Sequence, residues 1–112
     1  MKHLRTTILA LVLVLAGCAS PLAQVKDDFR AARYGEAREK LVRMEPEVPT
    51  WGNEKQARYA LYRGLVHGAL GDRENATVWL RKAKRWSAEP GIYSEDDAVR
   101  LKLALEQLET AP

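Results

Sequence analysis

The third helical segment of this 112-residue chain carries small residues at every fourth position, Ala60, Gly64 and Gly68. Glycine in a helix interior costs about 1 kcal/mol relative to alanine, so two of them in one helix need a compensating gain. Close approach of a neighbouring helix backbone supplies it. No stretch alternates apolar and polar residues with a period of two, so no sheet is expected. Helix packed on helix is the only architecture left, and the fold class is all-α.

The periodicity predicts about five helices. The first starts from Gln24, with Val25, Phe29 and Ala32 at helical spacing, and Tyr34-Gly35 reads as a tight corner. The second covers residues 36–44, with Ala37, Leu41 and Met44 on one face, and Pro46 and Pro49 end it because proline has no N–H to give the ladder. Thr50-Trp51-Gly52 is a connection, after which Asn53 caps a third helix over 54–70, with Gln56 completing a capping box. Gly71-Asp72 breaks that helix. A fourth starts near Arg73 with an inward stripe of Ala76, Trp79, Leu80, Ala83 and Trp86, and stops at Pro90-Gly91. Ser94 and Asp97 make another capping box, opening a last helix that runs to about Glu109 with Val99, Leu101, Leu105 and Leu108.

Within that series Gly64, Gly71, Ala76, Leu80 and Ala83 stand at the spacings of a tetratricopeptide repeat, which the segment resembles. A partial second match runs through Tyr34, Ala37, Leu41 and Pro49, with Met44 at a position usually small. Ala60 and Arg63 replace the family's Trp and Leu, and His67 its Tyr. The offset from Ala37 to Ala76 is 39 residues, against the family's 34, and the extra length fits the connection over 46–53. The resemblance implies a short array of helical hairpins closed by a C-terminal capping helix, the alternative being a generic five-helix bundle. It also implies a ligand groove lined by first helices, here Arg58, Leu61, Tyr62 and Leu65. Roughly three repeats are usually needed for stability, so a two-repeat array is expected to be marginal alone.

The first residues have a different character. Lys2 and Arg5 precede an apolar run from Ile8 to Ala16, too short for a stable membrane span and ending in small residues, which is the pattern of a secretory signal. Its exit, Leu15-Ala16-Gly17-Cys18, resembles the lipobox of bacterial lipoproteins, whose cysteine is lipidated and becomes the first mature residue. The resemblance divides the chain into a removed leader (1–17), a lipidated tether (18–23) and a helical domain (24–109). It implies at least two acyl chains on Cys18, and at about 0.8 kcal/mol per buried methylene two chains anchor stably where one does not. Ala19, where an aspartate favours inner-membrane retention in enterobacterial lipoproteins, points to the periplasmic side of the outer membrane. The single cysteine is used by the lipid, so no disulfide is expected.

Loss of the leader also changes the charge. Of 18 basic residues Lys2 and Arg5 leave with it, so 16 face 15 acidic ones and the balance falls to +1. A nucleic-acid partner is therefore not expected.

No constellation for catalysis stands out. His67, the one histidine beyond the leader, reads as a packed side chain, since a metal site needs several converging ligands. Asp27-Asp28 and Asp96-Asp97 read as solvated acids in first helical turns, complementing the helix dipole. Ser20, Ser87 and Ser94 lack a nucleophile elbow, and there is no phosphate-cradling glycine loop. No catalytic residue, metal or cofactor is assigned. Arg81, Lys82, Lys84 and Arg85 form the densest basic cluster, interleaved with Trp79 and Trp86. The set reads as a solvated helix face whose tryptophans belong to the core, or as a surface for anionic lipid or an acidic partner. Trp51 either staples a helix start or anchors a partner.

The sequence thus supports a membrane-anchored, non-catalytic interaction or assembly module of the cell envelope, with envelope proteins as partners and self-association compatible with it. A small envelope enzyme, or an accessory subunit of one, is the alternative. The anchor has a direct test. Cys18→Ser is expected to abolish metabolic incorporation of a fatty acid and to shift the protein out of the detergent phase. An unchanged protein that incorporates no fatty acid would refute the lipobox assignment.

Overall fold

The computed structural model describes residues 20–110. The leader, Cys18 and Ala19 lie outside the described residues. Five α-helices follow in order: α1 (Pro21–Arg30), α2 (Tyr34–Met44), α3 (Asn53–Ala69), α4 (Arg73–Trp86) and α5 (Glu95–Thr110), with a 3₁₀ helix over Glu45–Thr50 between α2 and α3. No strand occurs among the described residues. The architecture is an all-α array of two antiparallel hairpins, α1–α2 and α3–α4, followed by a C-terminal helix.

The two hairpins turn in the same way. α1 ends with Ala32 in the left-handed region (φ 61°), and α3 ends with Gly71 there (φ 79°). At the first turn the Arg33 N–H donates to Asp28 O (2.8 Å) and Ala32 N–H to Phe29 O (3.1 Å). At the second, Asp72 N–H donates to His67 O (2.9 Å) and Gly71 N–H to Gly68 O (3.1 Å). Both are Schellman caps, which satisfy carbonyls that the helix end leaves open. Each residue of the second turn stands 39 positions after its counterpart in the first. The same offset relates Ala37 to Ala76 and Leu41 to Leu80, all four buried. It also relates the ion pair Asp28–Arg33 (3.0 Å) to the contact of His67 with Asp72 (3.6 Å), with the order of basic and acidic residues reversed.

α3 is the central helix. Ala57, Tyr59, Ala60, Leu61, Tyr62, Gly64, Val66 and His67 are all buried along it, because α1, α2, α4 and α5 each pack against it. Its tightest neighbour is α4. A Cβ at Gly64 would stand 2.6 Å from Leu80 Cγ and 3.1 Å from Leu80 N, whereas one at Gly68 would meet only Ala76 Cβ, at 3.8 Å. Close approach therefore requires glycine at 64 and not at 68.

Several boundaries differ from expectation. α1 starts at Pro21, not Gln24, and buries Leu22, so residues 21–23 belong to the folded domain rather than the tether. Proline suits a first helical turn because the N–H it lacks would have no partner there. The corner is not Tyr34-Gly35 but Ala31 to Arg33, and Tyr34 opens α2. Asn53 is the first residue of α3 and not its cap, which is Gly52, with no side-chain bond. Gln56 instead donates to Trp51 O (2.8 Å). Val99 is exposed rather than part of the inward stripe of α5. Ser94 does cap α5, its Oγ accepting from Asp97 N–H at 3.2 Å.

The two glycines of α3 make opposite predictions. Gly64→Ala is expected to destabilise the domain by about 1–3 kcal/mol, because the α4 backbone beside Leu80 has little room to yield. That corresponds to a loss of roughly 4–8 °C in thermal midpoint per kcal/mol for a domain of this size. Gly68→Ala should be neutral or stabilising by about 0.4–1 kcal/mol. Equal midpoints for the two variants in thermal denaturation would show that the crossing at Gly64 is not tight.

Candidate partner-binding groove

α3 presents two opposite faces. Gln56, Tyr59, Ala60, Arg63 and His67 follow the three-and-four spacing of one face, while Arg58, Leu61, Tyr62 and Leu65 follow the other. The second set is the one the repeat resemblance offered as a groove. The structure closes its middle: Leu61 and Tyr62 are 0% exposed. Tyr62 Oη donates to Asp97 Oδ1 on α5 (2.8 Å), and its ring meets the ring of Phe29 edge-on, centroids 5.9 Å apart. Leu61 and Tyr62 are therefore core residues, covered because α1 and α5 both pack over this face. Arg58 stays accessible at one end, paired with Glu54 (3.5 Å). Leu65 lines a separate apolar hollow of about 340 Å³ at the other end. The four expected groove residues do not form one continuous surface.

The first face is organised by Arg63. Its Nη1 donates to Tyr59 Oη (2.7 Å) and lies 3.3 Å from Glu45 Oε1, and its Nε donates to His67 Nε2 (3.0 Å). The guanidinium also sits over the Trp79 ring, 4.8 Å from its centroid. Tyr59 in turn donates to Leu41 O (2.6 Å), which ties α3 to α2. An arginine suits this position because its planar fork offers five donors and a stacking face at once. Nothing in the sequence marked Arg63 as a centre beyond its departure from the repeat pattern and its four-residue spacing to Tyr59 and His67.

Around this hub three aromatic rings meet edge to face. Trp51 and Tyr59 have centroids 5.8 Å apart, and Tyr59 and Trp79 5.4 Å. Such pairs contribute about 0.5–1.5 kcal/mol beyond area burial. Lys55 Nζ lies 4.1 Å from the Trp51 centroid and Lys82 Nζ 4.3 Å from that of Trp79. Trp51 thus staples the start of α3 while keeping part of its ring accessible.

Between the 3₁₀ helix and α4 these side chains leave a half-open trough of about 560 Å³. Tyr59 and Ala60 lie along α3, Val48 and Pro49 on the 3₁₀ helix, and Trp79 and Trp86 on α4. Glu45, Lys82 and Arg85 supply its charge. Trp79 and Trp86 are half-buried, so they are neither core residues nor free surface. Of the basic cluster, Lys82 and Arg85 border the trough, and Arg81 and Lys84 are exposed elsewhere on α4.

Two carboxylates expected in solvent are buried, Asp28 at 3% exposure and Asp97 at 4%. Asp28 is not in a first turn, because α1 starts three residues earlier than its apolar spacing suggests. Burial pushes its carboxyl pKa up, but hydrogen bonds and charge from Lys40 and Arg33 outweigh that and hold it below its ordinary value. Asp97 takes Tyr62 and also Arg100 (3.3 Å). Burial and the neighbouring Asp97 together push the Tyr62 phenol far above its ordinary range. Among the described residues no group of three or more His, Cys, Asp or Glu converges as a metal site, and no helix is long and apolar enough to cross a membrane.

His67 is a packed histidine, 5% exposed. Because Nε2 accepts from Arg63, the imidazole proton sits on Nδ1, which finds no hydrogen-bond partner and faces Asp72 Oδ2 at 3.6 Å. Neither a protein-family model, nor a curated protein, nor a solved structure matches the chain.

The histidine makes stability pH-dependent. Burial, then the charge of Arg63, hold the His67 pKa below its ordinary 6.5. As pH falls through 6.5 the unfolded chain takes up a proton that the folded chain refuses, so stability is full above that value and declines below it. The lowered carboxyl of Asp28 adds loss of the same sign only near and below pH 3.8. The urea midpoint is therefore expected to fall between about pH 7 and pH 5, and His67→Gln should flatten that slope. A slope unchanged in the variant would assign the proton elsewhere.

Proposed function

We propose that the chain is a lipid-anchored, non-catalytic binding module of the bacterial cell envelope, held by Cys18 and engaging a partner protein through the trough between the 3₁₀ helix and α4. The observation that carries this reading is the fixed position of Trp79. Its ring has the Arg63 guanidinium over it and the Tyr59 ring against it edge-on. A half-buried tryptophan held from two sides loses little freedom on binding, and such preorganisation is what converts contact area into affinity. Tryptophan and arginine are also the residues most enriched where binding energy concentrates.

The tether agrees with this use. Ser20, two residues after Cys18, borders a hollow shared with Gly52 and Lys55 at the start of α3. A partner seated in the trough would be held close to the membrane. The helical-hairpin plan, with its 39-residue internal offset, is read as a divergent tetratricopeptide-like pair closed by α5.

A photo-crosslinking residue at Pro49, on the trough wall, is expected to give a discrete protein adduct in intact cells. The same residue at Glu39, exposed on α2 away from the trough, should not give that adduct. No adduct from position 49, or the same adduct from both positions, would overturn the assignment.

A further inference from the structure

We propose that the trough accepts an extended acidic segment of the partner, one that carries apolar or aromatic side chains between its acids. This rests on the binding-module reading and names its ligand class.

The charge pattern points to the acids. Arg33, Lys40, Arg58, Arg63 and Arg100 each have a carboxylate within ion-pair distance. Among the described residues Arg81, Lys82, Lys84 and Arg85 have none within 4.0 Å. The last turn and a half of α4 is thus the one run of successive cations left uncompensated by side-chain carboxylates. The acid that does line the trough, Glu45, is engaged by Arg63 from within. A ligand entering there meets the charge of Lys82 and Arg85, and the summed field attracts anions over roughly a Debye length, about 8–10 Å.

The spacing of the tryptophans points to an extended chain. Trp79 and Trp86 are seven residues apart, close to two helical turns, or about 10 Å along α4. Lys82 lies between them and Arg85 beside the second. An extended peptide advances about 3.3 Å per residue, so roughly three residues span the two rings. An acid can then face Lys82 while apolar side chains reach the rings on either side. The trough is half-open, which suits a passing segment better than a small molecule, whose site usually encloses most of its surface.

An anionic bilayer fits less well. Glu47, next to the trough residue Val48, and Glu89, three residues after Trp86, are both exposed, and Glu45 lines the trough itself. A flat anionic surface would be brought against those carboxylates together with the cations. A narrow segment in the trough avoids them.

The test uses the full-length protein in nonionic detergent and a fluorescein-labelled peptide, Glu-Glu-Leu-Glu-Glu-Phe-Glu, followed by anisotropy. Two comparison peptides replace every Glu by Lys, or Leu and Phe by Ser. The first peptide is expected to bind, and both comparisons to bind at least about ten-fold more weakly. Raising salt should weaken the first. Lys82→Glu with Arg85→Glu should weaken it about ten-fold or more. Arg81→Glu with Lys84→Glu makes the same change in net charge away from the trough and should leave binding nearly unchanged. Trp86→Ala should weaken binding at unchanged helicity. Absence of binding at millimolar peptide, equal binding by the lysine peptide, or equal loss in the two charge-reversal variants would each overturn the proposal. So would preferential co-sedimentation with phosphatidylglycerol over phosphatidylcholine vesicles, which the lipid on Cys18 alone would not give, by a protein that ignores the peptide. A protein adduct at position 49 combined with no affinity for the acidic peptide would remove the ligand class and leave the module reading standing.

Discussion

The contact of Leu80 with Gly64 sets the rest of the molecule. Because position 64 has no side chain, α4 lies against α3 closely enough for Leu80 to fill the gap between them. That depth fixes the rotation of α4 about its own axis. With Ala76, Leu80 and Ala83 turned fully inward, Trp79 and Trp86 fall on the flank, half in and half out. One face of α4 therefore packs, and the flank beside it borders the trough. A wider crossing would let Trp79 sink into the core or swing clear of Arg63. The trough is a consequence of helix packing rather than of any loop.

The polar interior follows the same hairpin plan with different chemistry. At equivalent places, 39 residues apart, the first hairpin buries Asp28 and the second His67. Asp28 is fully answered by Arg33 and Lys40. His67 is answered on one side only, by Arg63, and leaves a buried N–H without a partner. An unmet buried donor costs about 1–3 kcal/mol, so the second hairpin carries the weaker polar bargain of the two. It is also the hairpin with the tighter crossing and the aromatic network, whose packing can bear that cost.

Much of this was legible beforehand, and the misses have physical reasons. Periodicity located all five helices, the core stripe of α2 and three of the five residues expected in that of α4, the half-buried Trp79 and Trp86 being the exceptions, because burial at three-and-four spacing is a strong constraint on residue type. The small residues of α3 announced a close crossing, although only Gly64 needs to be glycine. Helix starts were less legible. Neither Ser20 before Pro21 nor Arg33 before Tyr34 makes a side-chain capping bond, and Asn53 follows its cap, so side-chain signals were a poor guide to where these helices begin. The buried acids were missed since Asp28 and Asp97 look like solvated caps until Lys40 and Tyr62, distant in sequence, are brought to them. The groove set on α3 failed at Leu61 and Tyr62 for a related reason: sequence spacing gives a face, not what packs over it. Arg63 was the largest omission. An arginine in the middle of a helix looks solvated, and only the fold shows that four different partners converge on it.

That convergence bears on why the trough keeps its electrostatic character. A groove lined by Glu45, Lys82 and Arg85 would ordinarily settle its charges by pairing across the gap, and the aromatic floor would be covered by its own rim. Arg63 prevents this from the inside. It holds Glu45 at 3.3 Å and its donors are shared among Tyr59, His67 and that carboxylate, so the acid is compensated without reaching across to α4. Lys82 is left with the Trp79 face, 4.3 Å from the centroid, an interaction of about 0.5–1 kcal/mol at an accessible site. Such a contact is weak enough to be exchanged for a carboxylate that arrives from outside. The side chain that packs most polar contacts into the core is thus also the one that leaves the surface cations unpaired.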